Sequence, residues 1–274
     1  MVIHSGKKEE KEGSKEKQEK EKVMREAVVI GYGMVGKATA LSFGIDKYFS
    51  RKESNITLEQ ASKCRYIFIC LPTPTIDGKV FTDDIYAIIK QIEGYPNYYD
   101  RSIIIRSTVY PGFADYVCTT LNTDNVISNP EFLSESTWEE DAKRPWMVVI
   151  GGKNPKHVEK VKGLYVGRYK YMQPLITNNV TAELIKYTFN TFFATKVIFA
   201  NEIYDYAQKA GANYETIKRA IEAIPWGSKN HFDVWYREKR GVRGRCLPKD
   251  TEAFANLTDS PFFKMLLDRN TRLV

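Results

Sequence analysis

The sequence predicts an α/β protein: a doubly wound parallel sheet followed by an all-α region built on one long helix. Three observations carry that reading. A short apolar run from Ala27 to Ile30 leads into Gly31-Tyr32-Gly33-Met34-Val35-Gly36 and a helical pattern from Lys37 to Phe43. Further apolar, β-branched runs recur at the spacing of alternating strands and helices. From about Asn179 to Ala210 the pattern is helical without interruption.

Strand, GxGxxG and helix in that order are what a Rossmann dinucleotide site demands. The glycines permit a tight turn, close approach of the backbone to a pyrophosphate, and close helix–strand packing. The anion would sit over the helix N-terminus, where free N–H groups and the dipole favour negative charge. The next strands read as Tyr66 to Leu71, closing in Pro72-Thr73-Pro74; Ser102 to Arg106, followed by Ser107-Thr108-Val109; Val126 to Ser128, ending at Asn129-Pro130-Glu131; and Met147 to Ile150, ending at Gly151-Gly152. Continuous apolar runs suit strands covered on both faces. Open α/β sheets bind ligands at the carboxyl ends of their strands, which makes Thr73, Thr108 and Glu131 site candidates by position.

The run from Asn179 to Ala210 would be about 48 Å long at 1.5 Å per residue. Its apolar residues, Val180, Leu184, Phe189, Phe192, Phe193, Val197, Ile198 and Ile203 among them, fall on several faces, so more than one partner surface must bury it. A spine between domains or a dimer helix would do so. Asn213 to Ala223 reads as a second helix capped by Asn213. The domain boundary is therefore set near Asn179, with a Rossmann-like domain at 27–178 and a helical one at 179–274.

Composition bounds the rest. The 274 residues allow one large domain or two ordinary ones, and 43% hydrophobic with 13% aromatic content excludes wholesale disorder. No run approaches the 18 or so uncharged apolar residues of a membrane span, so no membrane role is expected. Of the formal +7, residues 1–26 contribute only +1, since eight basic groups meet seven glutamates there. That segment reads as a solvated, disordered charged arm and not as a signal peptide. No interleaved aromatic–basic stretch or helix-turn-helix pattern supports nucleic-acid binding. Cys64, Cys70, Cys118 and Cys246 lack CxxC spacing, so neither a metal site nor a disulfide framework is indicated, and a reducing cytoplasm fits.

Two constellations could carry chemistry. Helical spacing puts Glu183, Lys186 and Asn190 on one face, where a Lys and an Asn four apart on an apolar helix need water, a partner or a substrate oxygen. A Glu183–Lys186 surface pair is the alternative. In Gly241-Val242-Arg243-Gly244-Arg245-Cys246-Leu247-Pro248-Lys249-Asp250, a glycine-flanked cysteine is accessible, and Arg243, Arg245 and Lys249 would favour its thiolate. Asp250 lies four on, placed to orient or deprotonate water if the segment turns into a helix. A buried inert cysteine is the alternative. Cys64, Cys70 and Cys118 read as inert.

With these segments together, the chain resembles the UDP-glucose/GDP-mannose 6-dehydrogenases, the nucleotide-sugar dehydrogenases. The matching segments are GYGMVG at 31–36, CLPTP at 70–74, STVYPG at 107–112, NPEFLSE at 129–135, AELIKYTFNTF at 182–192 and CLPKD at 246–250, in the family's order. The resemblance implies an NAD-binding domain and then a helical domain on a long, homodimer-forming helix. It also implies four-electron oxidation of a sugar C6 alcohol to a carboxylate with two NAD in turn. The loop cysteine captures the aldehyde as a thiohemiacetal, and the ensuing thioester is hydrolysed. Carried over, Cys246 is the nucleophile, Lys186 and Asn190 stabilise the oxyanion, Asp250 and Thr108 position water, and Glu131 relays protons. Gly31, Tyr32, Gly33, Met34, Val35, Gly36, Ser50, Arg51, Pro72, Thr73, Thr108 and Glu135 form the expected cofactor site, the substrate being a nucleotide sugar.

Three departures accompany it. NAD-binding Rossmann domains usually end the second strand in Asp or Glu. Here Ser50-Arg51 stands there, and a Ser/Arg/Lys cluster suits a 2′-phosphate, so NADP is the alternative cofactor. Arg243 replaces one glycine before Cys246. The family continues with another Rossmann-like domain where this chain stops, at Val274, so the nucleotide pocket belongs to a missing segment, to a second subunit or to an enzyme for a smaller substrate. The competing functions are a one-hydride β-hydroxyacid-type dehydrogenase and a non-catalytic cofactor-binding remnant.

Overall fold

The computed structural model describes residues 26–96, 100–225 and 230–273. The charged arm, apart from Glu26, lies outside the described residues. The chain forms two compact units. The first comprises 26–73 and 82–186; the second comprises 74–81 and 187–273.

The first unit is organised on seven strands: β1 (Ala27–Ile30), β2 (Tyr48–Phe49), β3 (Tyr66–Ile69), β6 (Ser102–Ile105), β7 (Val126–Ser128), β8 (Val149–Gly151) and β9 (Leu175–Thr177), in the order β2-β1-β3-β6-β7-β8-β9. The first five run parallel, with Val28 opposite Ile67 and Ile67 opposite Ile103. β8 departs from the expected parallel sheet, pairing antiparallel with β7 through Ser128 and Gly151, and β9 then runs parallel to β8. The chain runs first outward to β2 and then back past β1 to β3, so the direction of winding reverses between β1 and β3. That switch point is where such sheets bind ligands.

Successive strand residues point to opposite faces, and both faces are apolar. Ala27, Val29, Phe68, Ile104 and Ile127 pack with α1 (Met34–Phe43) and α6 (Pro155–Arg168). Val28, Ile30, Ile67, Ile103 and Val126 pack with α3 (Asp83–Glu93) and α4 (Phe113–Thr120). This double cover is why the strands read as unbroken apolar runs; each fully buried Ile contributes about 1.5–3 kcal/mol. The short helices have local causes too. α2 (Leu58–Ser62) carries a Thr57/Gln60 capping box, and α6 is capped by Asn154 with Pro155 in its first turn. α5 (Trp138–Lys143) completes the unit.

Helix α7 spans Asn179–Ala210, so it begins at the expected boundary residue. The compact units, however, divide at Lys186/Tyr187. The first two turns belong to the sheet unit because Asn179 Oδ1 accepts the Ser128 amide at 3.1 Å and Glu183 is bound by three donors from that unit. In the second unit, α8 (Tyr214–Glu222) is capped as expected by Asn213, whose side chain accepts from the Thr216 amide. α9 (Leu247–Thr258) and α10 (Pro261–Leu273) complete its helices. A hairpin of β4 (Thr75–Ile76) and β5 (Lys79–Val80) also belongs here, with Thr75 Oγ1 donating to the Lys249 carbonyl. Its turn is Asp77-Gly78, where φ is positive at both residues (49° and 72°). A Cβ at Gly78 would come within 2.4 Å of Asn256 Nδ2.

Candidate active site

In the first unit the glycine motif has a separate job at each position. Gly31 has φ 92°, and a Cβ there would meet the Cys70 carbonyl oxygen at 2.6 Å. A Cβ at Gly36 would lie 2.0 Å from the Gly31 carbonyl oxygen and 3.1 Å from Val29, so only glycine lets α1 seat against β1. Gly33, at the N-cap of α1, is exposed, and a Cβ added there would meet nothing within 4 Å. The open position is the one where a pyrophosphate needs bare backbone, beside the N–H groups of Met34 and Val35. Tyr32 stacks on Tyr48 with centroids 4.0 Å apart. Ser50 follows β2 directly, next to Phe49, whose carbonyl accepts the Gly31 amide. Pro72 is exposed and Thr73 buried after β3, while Thr108 is half-buried after β6. Glu135 is exposed in a turn before α5. A dinucleotide therefore fits the residues present.

Glu131, after β7, is buried and is held by Lys186 of α7. The ammonium donates to the Glu131 carbonyl at 2.8 Å and to Oε1 at 3.1 Å, while Oε2 accepts the Leu133 amide at 2.6 Å. Burial pushes the Glu131 carboxyl up, but the Lys186 charge, the Leu133 amide and Arg106 outweigh it and hold the group below its usual range. Lys186 also lies 5.6 Å from the centre of the Phe132 ring. The Glu183–Lys186 surface pair is overturned: both residues are buried, and Lys186 bonds to Glu131.

Glu183 instead accepts the amides of Gly112 and Ala114 at 2.6 and 3.0 Å and the Ser128 hydroxyl at 2.7 Å. It thereby ties α7 to the loop that carries Thr108 and to the start of α4. Burial outweighs these donors and raises its pKa to about 7. A carboxyl raised from 4.5 favours the folded state when protonated. Its contribution is fully present below pH 4.5, declines through that window and is lost above about 7. The expected result is that Glu183→Gln flattens this part of the stability profile. The wild-type-minus-variant difference in urea-unfolding free energy should change by up to about 3 kcal/mol between pH 4.5 and 8. A constant difference would contradict it.

Sequence reasoning also missed a network at the end of β6. Arg106 Nη1 donates to Asn129 Oδ1 at 2.8 Å and to Tyr165 Oη at 2.6 Å, and Tyr165 donates to the same Asn129 oxygen. Arg106 Nε is buried with no hydrogen-bond partner among the described residues. Arg106, Glu131 and Tyr165 line a cavity of about 30 Å³ with Phe132 and Trp146, room for a water or two. The arginine after a strand of isoleucines was the available signal.

The second unit holds the other predicted residues. Cys246 is half-buried at the N-cap of α9, after Gly244, whose φ is 83°. The segment does turn into a helix, and the Asp250 amide donates to the Cys246 carbonyl at 3.0 Å. Asp250 is 1% exposed; its Oδ2 accepts from Asn190 Nδ2 at 2.5 Å, and Lys249 holds Oδ1. Lys249 is thus engaged by Asp250, and Arg243 Nε donates to the Arg240 carbonyl, so Arg245 is the most exposed of the three cations expected to bias the thiol. The other cysteines are buried, and burial raises each thiol, that of Cys70 to about 11. They are inert, as expected. No group of three or more His, Cys, Asp or Glu positioned for a metal occurs among the described residues, and no helix there is long and apolar enough to cross a membrane.

Comparison with known proteins matches the NAD-binding domain model of the UDP-glucose/GDP-mannose dehydrogenase family to residues 47–167 and its central-domain model to residues 180–272. A UDP-glucose 6-dehydrogenase of Rickettsia prowazekii is 32% identical over 215 residues, 76% of this chain and 48% of the relative. That of Rhizobium meliloti is 36% identical over 200 residues, 68% and 44% of the two chains. This chain spans about half the length of these curated relatives. Among solved structures, a UDP-glucose dehydrogenase from Pyrobaculum islandicum superposes with a TM-score of 0.76 at 23% identity, over 91% of this chain and 68% of that one, a likeness of fold.

Proposed function

The chain belongs to the UDP-glucose/GDP-mannose dehydrogenase family, and on that premise we propose that it serves the NAD-dependent oxidation of a nucleotide sugar's C6 alcohol, of the UDP-glucose class, to a carboxylate. The observation that carries the reading is the cysteine-led helix of the second unit. Cys246 opens α9, Asp250 lies one turn on, and Asn190 holds Asp250 at 2.5 Å. A one-hydride alcohol dehydrogenase has no use for a cysteine so placed.

NAD, bound at Gly31–Gly36 and the strand ends around it, supplies the hydride acceptor, two equivalents per sugar. The protein's own residues do the rest. The alcohol loses a proton and a hydride to become an aldehyde, and the Cys246 thiolate adds to the aldehyde carbon. The resulting thiohemiacetal loses its hydroxyl proton and a second hydride to become a thioester. Water then attacks the carbonyl carbon, the C–S bond breaks, and the acid leaves with the thiolate restored. Lys186 and Asn190, one helical turn apart in sequence, donate to the oxyanion. Glu131, already hydrogen-bonded to Lys186, relays protons, and Thr108 and Asp250 position the water.

The deciding experiment presents a panel of sugar nucleotides with NAD and measures reduced cofactor per sugar consumed. Two equivalents support the proposal. One equivalent supports a β-hydroxyacid-type dehydrogenase, and NAD binding without turnover of any sugar supports a remnant. A reducing compartment, the cytoplasm, would keep Cys246 a thiol.

The protein acts as a homodimer through α7. Val180, Leu184, Phe192, Phe199 and Tyr206 are exposed on that helix, Tyr206 by 72%, and recur at near-heptad intervals along it. Sedimentation equilibrium should give a dimer, and Phe199→Glu with Tyr206→Glu should convert it to monomer. A wild-type monomer at tens of micromolar would refute this surface.

A further inference from the structure

The adenosine end of the cofactor site carries a departure that points to a second ligand. Gly31 N donates to the Phe49 carbonyl at 2.8 Å, so the carboxyl end of β2 lies directly beside the glycine turn. In such folds the residue at that end meets the adenosine ribose: an Asp or Glu accepts from the 2′- and 3′-hydroxyls for NAD, and an Arg nearby accommodates a 2′-phosphate. Here β2 ends at Phe49 and is followed at once by Ser50, Arg51 and Lys52.

The turn that follows is closed by its own hydroxyls and offers no carboxylate at its start. Ser50 Oγ donates to the Glu53 carbonyl at 2.7 Å, Ser50 N donates to Ser54 Oγ at 2.9 Å, and Ser54 Oγ donates back to the Ser50 carbonyl at 2.8 Å. This fixes the backbone of 50–54 and leaves Arg51 and Lys52 exposed. Across the glycine turn, the Lys37 ammonium stands 5.7 Å from the centre of the Tyr32 ring, which itself stacks on Tyr48 of β2. Two acids oppose these cations: Glu53, exposed on the same turn, and Asp84 in the first turn of α3, whose Oδ2 accepts from Arg51 Nη2 at 2.9 Å. The Arg51 side chain is 85% exposed in that pair. An exposed pair of this kind is weak, whereas a guanidinium–phosphate pair is charge-assisted and bidentate. A phosphate can therefore take Arg51 over from Asp84, and Asp84 meanwhile holds the side chain near the strand end.

We propose that the cofactor site of the first unit takes a 2′-phosphorylated adenine nucleotide as well as NAD, with Arg51 and Lys52 as the residues that read the 2′-phosphate. The inference rests on the reading of Gly31–Gly36 as the pyrophosphate turn.

Calorimetric titration of the whole chain with ADP-ribose, 5′-AMP and adenosine 2′,5′-bisphosphate tests both levels. The expected result is that the bisphosphate binds at least about tenfold more tightly than 5′-AMP at low salt. The advantage should shrink as salt is raised. Arg51→Ser should remove most of the advantage and Lys52→Ser part of it, with 5′-AMP and ADP-ribose each weakened by a much smaller factor than the bisphosphate. If ADP-ribose binds but the 2′-phosphate adds nothing, or if Arg51→Ser weakens all three alike, the assignment of Arg51 falls and the dinucleotide site stands. If none of the three binds, the dinucleotide reading falls with it.

Discussion

Replacing Cys246 with alanine is expected to lower the rate of acid formation from the sugar nucleotide by a factor on the order of 10³ or more, because the aldehyde then has no covalent acceptor. The same variant should release at most one reduced cofactor per sugar in place of two. Its fold should survive: the Cys246 carbonyl, which accepts the Asp250 amide at the start of α9, is untouched by the change. Unfolding free energy should therefore move by about 1 kcal/mol or less, and NAD binding should stay as it is. Two equivalents of reduced cofactor at an undiminished rate would remove the cysteine from the mechanism.

The second large effect concerns stability as well as chemistry. In the Glu131–Lys186 pair both side chains are under a tenth exposed, at 7% and 6%. Lys186→Met would leave a buried carboxylate without its ammonium. Such a loss costs about 3–5 kcal/mol in unfolding free energy, read by urea titration at neutral pH. Adding Glu131→Gln should restore most of that stability while activity stays lost, since the charge is then gone along with its partner. The pH dependence has a definite sign. The Glu131 carboxyl is depressed in the folded state, so its contribution is present above 4.5 and is lost as pH falls through the folded value. Lys186→Met should weaken that acid-lability. A single variant as stable as wild type across this range would mean that the pair does not hold the Glu131 loop.

The strands of the sheet were legible because both of its faces are covered, which leaves the period-two alternation invisible but the apolar runs unbroken. The GxGxxG turn was legible for a different reason: a Cβ at Gly36 would clash with the Gly31 carbonyl oxygen, and that constraint is written in residue identity. Lys186, Asn190 and Asp250 were picked out by helical spacing, and the structure gives each a buried hydrogen-bond partner. Glu183 was placed on the same face as Lys186 and Asn190, but its partners were not legible. Its partners are two backbone amides and a serine far along the chain, and backbone donors leave no mark on the sequence. The antiparallel β8 was equally silent, since its direction depends on a single pairing with β7. The hairpin at 75–80 did carry a signal, Asp-Gly between two short β-prone stretches, the usual mark of a two-residue turn with positive φ.

That hairpin also constrains how the polypeptide comes together during synthesis. Residues 74–81 emerge early, between two strands of the first unit, yet their partners on α9 emerge more than 160 residues later; Thr75 and Lys249 are 174 positions apart. The sheet unit can assemble from contacts made as it is translated, whereas the second unit must keep an early segment waiting. Closing so long a loop is slow, and the waiting segment exposes backbone suited to pairing with other chains. Cutting the gene at the 186/187 division would not yield an independent helical domain, since the piece from 187 onward lacks residues 74–81 that belong to it.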